Sequence, residues 1–198
     1  GSADFPAMIA PTMGAVNSGP KVGPIVFDEI MYHPPIGGHE YIVLRNTSSQ
    51  TVSLYDSANP SNTWKVSGID FEFPVDVQLG GYDSMLLVRD TLTPAQFRSV
   101  YSVPASVRIL SYNGALDNDA DTLKLRKPGA PEAATGYVPY IVVEQVKYND
   151  SAPWPPAADG LGKALVRISA SAYANDVANW QAGNASYVPA LSNLIVHS

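Results

Sequence analysis

Residues 25–46 read IVFDEIMYHPPIGGHEYIVLRN, and the reading of this stretch decides the fold. Ile25 to Tyr32 alternates imperfectly: Phe27 and Ile30 share a face only if one extra residue, near Asp28 and Glu29, is taken up by a β-bulge. The run from His33 to Gly38 cannot continue a ladder, because two prolines lack donors and the glycine pair is free to turn. Tyr41 to Leu44 is apolar on both faces, which places it inside a sheet. The stretch therefore predicts two strands joined by a tight loop, with a bulge in the first.

Working outward, the chain breaks at Asn46-Thr47-Ser48-Ser49 and resumes at Thr51-Val52-Ser53-Leu54. A polar loop at Asn59-Pro60-Ser61-Asn62 precedes strand-like segments at Trp64 to Val66, Ile69 to Phe73 and Ser84 to Arg89. One helix is predicted from Thr93, where Thr93 caps, Pro94 fits the first helical position and Gln96 closes a capping box. Phe97, Val100 and Tyr101 then fall on one face, and the helix is expected to plug one end of the sheets. Val107 to Leu110, Thr122 to Lys127, Tyr140 to Tyr148 and Ala164 to Ile168 read as further strands, the third being the longest. Leu123 and Leu125 alternate with Lys124 and Arg126, the mark of a sheet with one wet face. About ten short strands and one helix predict an all-β sandwich rather than alternating βαβ units.

Before Pro24, Pro, Gly and Ala recur without period, so residues 1–23 read as a linker whose Gly1-Ser2 is a cloning scar. Its Phe5, Met8, Ile9 and Met13 are more apolar than a free linker needs. Residues 24–185 form the expected domain, and 186–198 a tail whose Leu191, Leu194, Ile195 and Val196 suit an added strand or an interface.

Composition narrows the function classes. Hydrophobic residues make up 45% of the 198 and charged ones only 15%, which leaves a surface of Ser, Thr, Asn, Gly and Tyr that suits a secreted protein. Cysteine is absent, so disulfides, thiolate metal sites and a catalytic thiol are excluded. The net charge of -6 supplies no basic field for phosphates, which argues against a nucleic-acid partner. No apolar run approaches the roughly 20 residues that span a bilayer, so membrane insertion is not expected.

Six motifs in order carry a family resemblance: DEIMYHPP, EYIVLRN, IDFEFP, GGYDSMLLVRD with the FRSVY helix, YNDSAPWPPAADGLGKALVRI, and NDVANW. Together they span roughly Pro24 to Ala182 and resemble the lamin tail domain in its bacterial form. The resemblance implies an immunoglobulin-like β-sandwich within a large secreted or cell-surface protein. It further implies a non-catalytic binding or adhesion module with a protein or glycan partner.

Candidate chemistry is sparse. Asp117, Asp119 and Asp121 alternate as carboxylates do in Ca²⁺ loops, but the glycine and distal Glu of an EF-hand are missing. The plainer reading is a solvated hairpin turn. His33, His39 and Glu40 share a loop and offer Zn²⁺ or Ni²⁺ donors without the H-E-x-x-H spacing, and His197 sits beside the terminus. Glu29 and Glu40 could be imagined as a glycosidase pair, although strand-end acids holding backbone N–H groups are the plainer reading. Trp64, Trp154 and Trp180 with 11 Tyr offer platforms for sugar rings or a protein anchor, against a plainer role in the core. Asn46, Asn149 and Asn184 each open an Asn-X-Ser triplet. The alternatives to the adhesion reading are therefore a carbohydrate-binding module and a Ca²⁺-dependent hydrolase accessory domain.

Overall fold

The computed structural model describes residues 8–11, 13, 14 and 20–189. The expectations for Phe5, His197 and the apolar tail residues Leu191 to Val196 lie outside these residues. Strands β1 (Ile25–Met31), β2 (Tyr41–Asn46), β3 (Val52–Ser53), β4 (Tyr55–Asp56), β5 (Asn59–Thr63), β6 (Lys65–Ser67) and β7 (Phe71–Glu72) come first. Then follow β8 (Gln78–Leu79), β9 (Ser84–Arg89), helix α1 (Pro94–Tyr101), β10 (Arg108–Tyr112), β11 (Ala120–Pro128), β12 (Tyr140–Asn149), β13 (Lys163–Arg167) and β14 (Trp180–Asn184). A six-stranded sheet runs β10-β9-β2-β1-β13-β14 and a four-stranded sheet β12-β11-β6-β7, with two small ribbons, β3-β8 and β4-β5. The fold is an all-β sandwich with one short helix.

The bulge sits where the alternation requires it. Phe27 pairs with Leu44 and Glu29 with Val43, so Asp28 is the extra residue. Phe27, Ile30, Ile42 and Leu44 therefore reach the inter-sheet core, where they meet Leu123 and Leu125 of the second sheet. Met31, Tyr41 and Val43 turn to the opposite face of the larger sheet, and Glu29 turns with them. Lys124 and Arg126 remain partly exposed on the far side of β11, as a sheet with one wet face demands.

Helix α1 does not plug an end of the sandwich. It connects β9 to β10, which pair in parallel, and a parallel pair needs a crossover that passes over a sheet face. The helix accordingly lies on the outer face of the larger sheet. There Phe97 and Tyr101 stack with centroids 4.1 Å apart, and Phe97 meets Tyr41 edge-on at 5.9 Å. The outer face thus holds a second apolar cluster.

The predicted capping box is present: Thr93 Oγ1 accepts from the Gln96 N–H at 3.3 Å, and Gln96 Oε1 accepts from the Thr93 N–H at 3.0 Å. Thr93→Ala is expected to lower stability by about 1 kcal/mol, with Thr93→Ser near wild type, as read from urea midpoints at constant slope.

Two segments differ from the sequence reading. Asn59 to Asn62 is part of strand β5 rather than a loop, because it folds back on β4 as an exposed ribbon. After Trp180 the chain continues as β14 along β13. Beyond it, Ser186 and Tyr187, read from sequence as tail, pack against the outer face. The Ser186 N–H donates to Glu29 Oε1 at 2.9 Å, and the Tyr187 ring lies 6.0 Å from Tyr41. Among the described residues no helix is long and apolar enough to cross a membrane.

Candidate functional site

The acidic stretch Asp117-Asn118-Asp119-Ala120-Asp121 is not a hairpin. It carries the chain from β10 in the larger sheet to β11 in the smaller, because those strands belong to different sheets. Its carboxylates serve the loop itself: Asp117 Oδ1 accepts from the Asp119 N–H at 3.1 Å and Asp121 Oδ1 from the Thr122 N–H at 2.6 Å. Burial pushes the Asp121 carboxyl up from its ordinary range. The Asp150 N–H reaches the Asp119 carbonyl at 2.8 Å, and the Tyr148 hydroxyl donates to the Asp117 carbonyl at 2.8 Å. Among the described residues no three His, Asp or Glu side chains converge where one cation could sit.

The loop histidines are separated by their partners. His33 Nδ1 lies 2.5 Å from Asp159 Oδ1, whereas His39 Nδ1 lies 3.0 Å from the Tyr101 hydroxyl. Burial lowers the His39 pKa, which favours the neutral ring. Glu40 ties two elements together, accepting from Arg89 Nη1 at 2.6 Å and from the Leu116 N–H at 2.8 Å. Glu29 is committed on the outer face, accepting from the Tyr41 hydroxyl at 2.5 Å as well as from Ser186. Both acids hold backbone N–H groups, the plainer of the two sequence readings.

The indoles are covered. Trp64, Trp154 and Trp180 expose 6%, 8% and 4% of their surface, too little for a sugar to stack on. Trp180 Nε1 donates to the Ala174 carbonyl at 2.7 Å. A hollow beside Trp154 offers polar groups, but they are engaged: Asn175 Oδ1 accepts from the Lys147 N–H and Asp176 Oδ1 from the Ala178 N–H. Asn46 is fully buried and donates to the Gln50, Leu79 and Gly80 carbonyls, so the first Asn-X-Ser triplet is a loop tie.

A largely apolar cleft lies where no motif pointed. The cleft, of about 410 Å³, opens where the start of β12 faces the lead into β1. Val52, Trp64, Ile141 and Val143 supply its apolar wall, and Lys21 and Lys127 stand at it with exposed side chains. Three consecutive residues, Ile141 to Val143, line it, which strict strand alternation forbids. A second bulge permits this: Leu125 pairs with Glu144 and Arg126 with Val142, leaving Val143 as the extra residue. Among the described residues neither Lys21 nor Lys127 has an acidic partner, whereas Lys65, Arg45, Arg89 and Arg167 each have one.

Next to that bulge the sandwich carries a buried ion pair. Arg167 Nη1 on β13 meets Glu144 Oε1 on β12 at 2.9 Å, with side chains 0% and 2% exposed. The guanidinium also donates to the Phe27, Ser169 and Ala172 carbonyls. Glu144 Oε2 has no partner. Burial pushes the Glu144 carboxyl up to about 7, and Arg167 pulls it back only in part. The pair joins the two sheets beside the cleft.

Fold and cleft together define an all-β sandwich with an open pocket between the start of β12 and the lead into β1. No protein-family model matches the chain, and no curated protein matches it.

Proposed function

We propose that the chain is a non-catalytic binding or adhesion module of a larger secreted or cell-surface bacterial protein, of the immunoglobulin-like, lamin-tail kind that its motifs resemble. The single observation that carries the reading is the contrast between committed and uncommitted groups. The acids and histidines picked out as candidate chemistry are spent largely on ties within the fold, while the cleft keeps an apolar wall and two lysines without acidic partners. Clefts of this size, mostly apolar with a few fixed charges, are the usual form of a small-ligand site.

A sugar-binding reading has to rest on Tyr82 and Tyr137, which are 65% and 61% exposed, since the indoles are covered. A Ca²⁺-dependent accessory role has only the dispersed acidic stretch to draw on.

The test is retention of the fluorescently labelled domain on the outer surface of intact bacterial cells. Saturable retention, reduced at least about tenfold by Ile141→Arg at the cleft mouth, is expected for a buried contact. Retention no greater than that of an unrelated sandwich domain overturns the reading, as does turnover of ester, glycoside or phosphoester substrates.

A further inference from the structure

We infer that the cleft beside the start of β12 binds a linear aliphatic carboxylate, its chain against Val52, Trp64, Ile141 and Val143 and its anionic head between Lys21 and Lys127. The inference rests on reading the cleft as the binding site and names the chemistry of its ligand.

Two features select that chemistry. The wall's side chains are aliphatic apart from one indole, so it rewards methylene groups. The rim carries two ammonium groups without acidic partners among the described residues, in a protein whose net charge is -6. Two cations at one apolar opening, against that overall sign, favour an anionic head and disfavour a cationic one.

The acids nearest in the chain are spoken for. Glu144 adjoins the cleft-lining Val143 but is turned to Arg167, with its side chain 2% exposed. Lys65, next to Trp64, is held by Glu72 at 3.3 Å and lies 4.6 Å from the Tyr140 ring centroid, which leaves Lys21 and Lys127 as the lysines lining the cleft.

The test uses the whole chain and the sodium salts of hexanoate, octanoate and decanoate, each below its micelle concentration, followed by calorimetry and by methyl NMR. Saturable binding of one decanoate per chain is expected, with methyl shifts confined to Val52, Ile141, Val142 and Val143. Affinity should rise up to about fourfold for each added methylene that the cleft buries. The Lys21→Glu/Lys127→Glu double variant should weaken binding by about tenfold or more, and high salt should weaken it in wild type. Decyltrimethylammonium, with the same chain and the opposite charge, should not compete.

Both lysines are exposed, so an unchanged melting midpoint will show that the double variant folds. Absence of saturable binding overturns the inference, as does equal binding of the cationic amphiphile or undiminished binding by the folded double variant. A peptide with an apolar carboxyl-terminal residue that binds more tightly than decanoate overturns it too. Because cell-surface retention is measured without decanoate, the two readings fail separately. A domain that coats cells but ignores decanoate loses only the ligand class, and one that binds decanoate but never coats cells loses the adhesion role.

Discussion

Arg167→Met is expected to destabilise the domain by about 3–5 kcal/mol at pH 8, a third or more of what a domain of this size commonly has. Methionine fills much of the same volume, so the loss does not come from an empty core. It comes from four acceptors that lose the guanidinium, although the Ser169 and Ala172 carbonyls keep Asn179 Nδ2 as a donor. Glu144 Oε1 lies 2.9 Å from the guanidinium, and the Phe27, Ser169 and Ala172 carbonyls lie at 3.0, 3.0 and 2.5 Å. Without Arg167 the Glu144 carboxylate would be a buried charge without its counter-ion and would be driven to take up a proton, and its second oxygen already lacks a partner. Arg167→Lys should fall between wild type and Met, because one ammonium cannot satisfy a fork of acceptors arranged for a planar group. Adding Glu144→Gln to Arg167→Met should recover part of the loss, since it removes the acid left without a counter-ion while the Phe27 carbonyl still lacks the guanidinium. Urea unfolding of the four proteins measures all of this. A single-variant loss below about 1 kcal/mol would show that water reaches the pair.

The features legible in the sequence were those set by neighbours along the chain. The bulge at Asp28 followed from Phe27 and Ile30 having to share a face, and the cap at Thr93 from Thr93, Pro94 and Gln96 within one four-residue stretch. Pairing between distant segments left weaker traces. The parallel β9-β10 pair has no signature in either strand, and without it the position of the helix could not be derived. Strand β14 reads WQAGN, poor strand composition, and exists because it can lie along β13. A Cβ on Gly183 would come within 2.6 Å of the Val166 side chain, so the missing side chain is what admits the close approach.

The cleft was not legible for a related reason. Lys21, Val52, Trp64, Lys127 and Ile141 share no spacing, and the run IVVEQV hides its bulge because it is apolar at both of the residues that the bulge puts out of phase. The Glu144–Arg167 pair did leave a usable signal. Glu144 stands in phase with Val146 and Tyr148, which face inward, and Arg167 in phase with Leu165. Charges in the apolar phase of two strands are candidates for one buried pair.

That pair also sets the expected pH dependence. The folded protein holds the Glu144 proton up to about pH 7, whereas the unfolded chain releases it near the ordinary value of 4.5. The folded state therefore binds more protons between those values, and stability must fall as pH rises through the window. Stability from this group is full below about 4.5, declines toward 7 and is level above it. From about pH 5 to about pH 8 the decline should amount to some 2–3 kcal/mol. Asp28 contributes in the same sense, since burial raises its pKa while Arg45 and Arg167 lower it. Tyr173 also faces Glu144 but stays protonated throughout, its pKa raised by burial and by that acid. Glu144→Gln isolates the effect: its stability should change less than that of wild type over the same range. The slopes of the two curves should differ most where Glu144 is charged only in the unfolded chain. Urea midpoints for both proteins at half-unit pH intervals provide the measurement. Parallel curves would mean that Glu144 titrates alike in the folded and unfolded chains and that water, not Arg167 alone, solvates it.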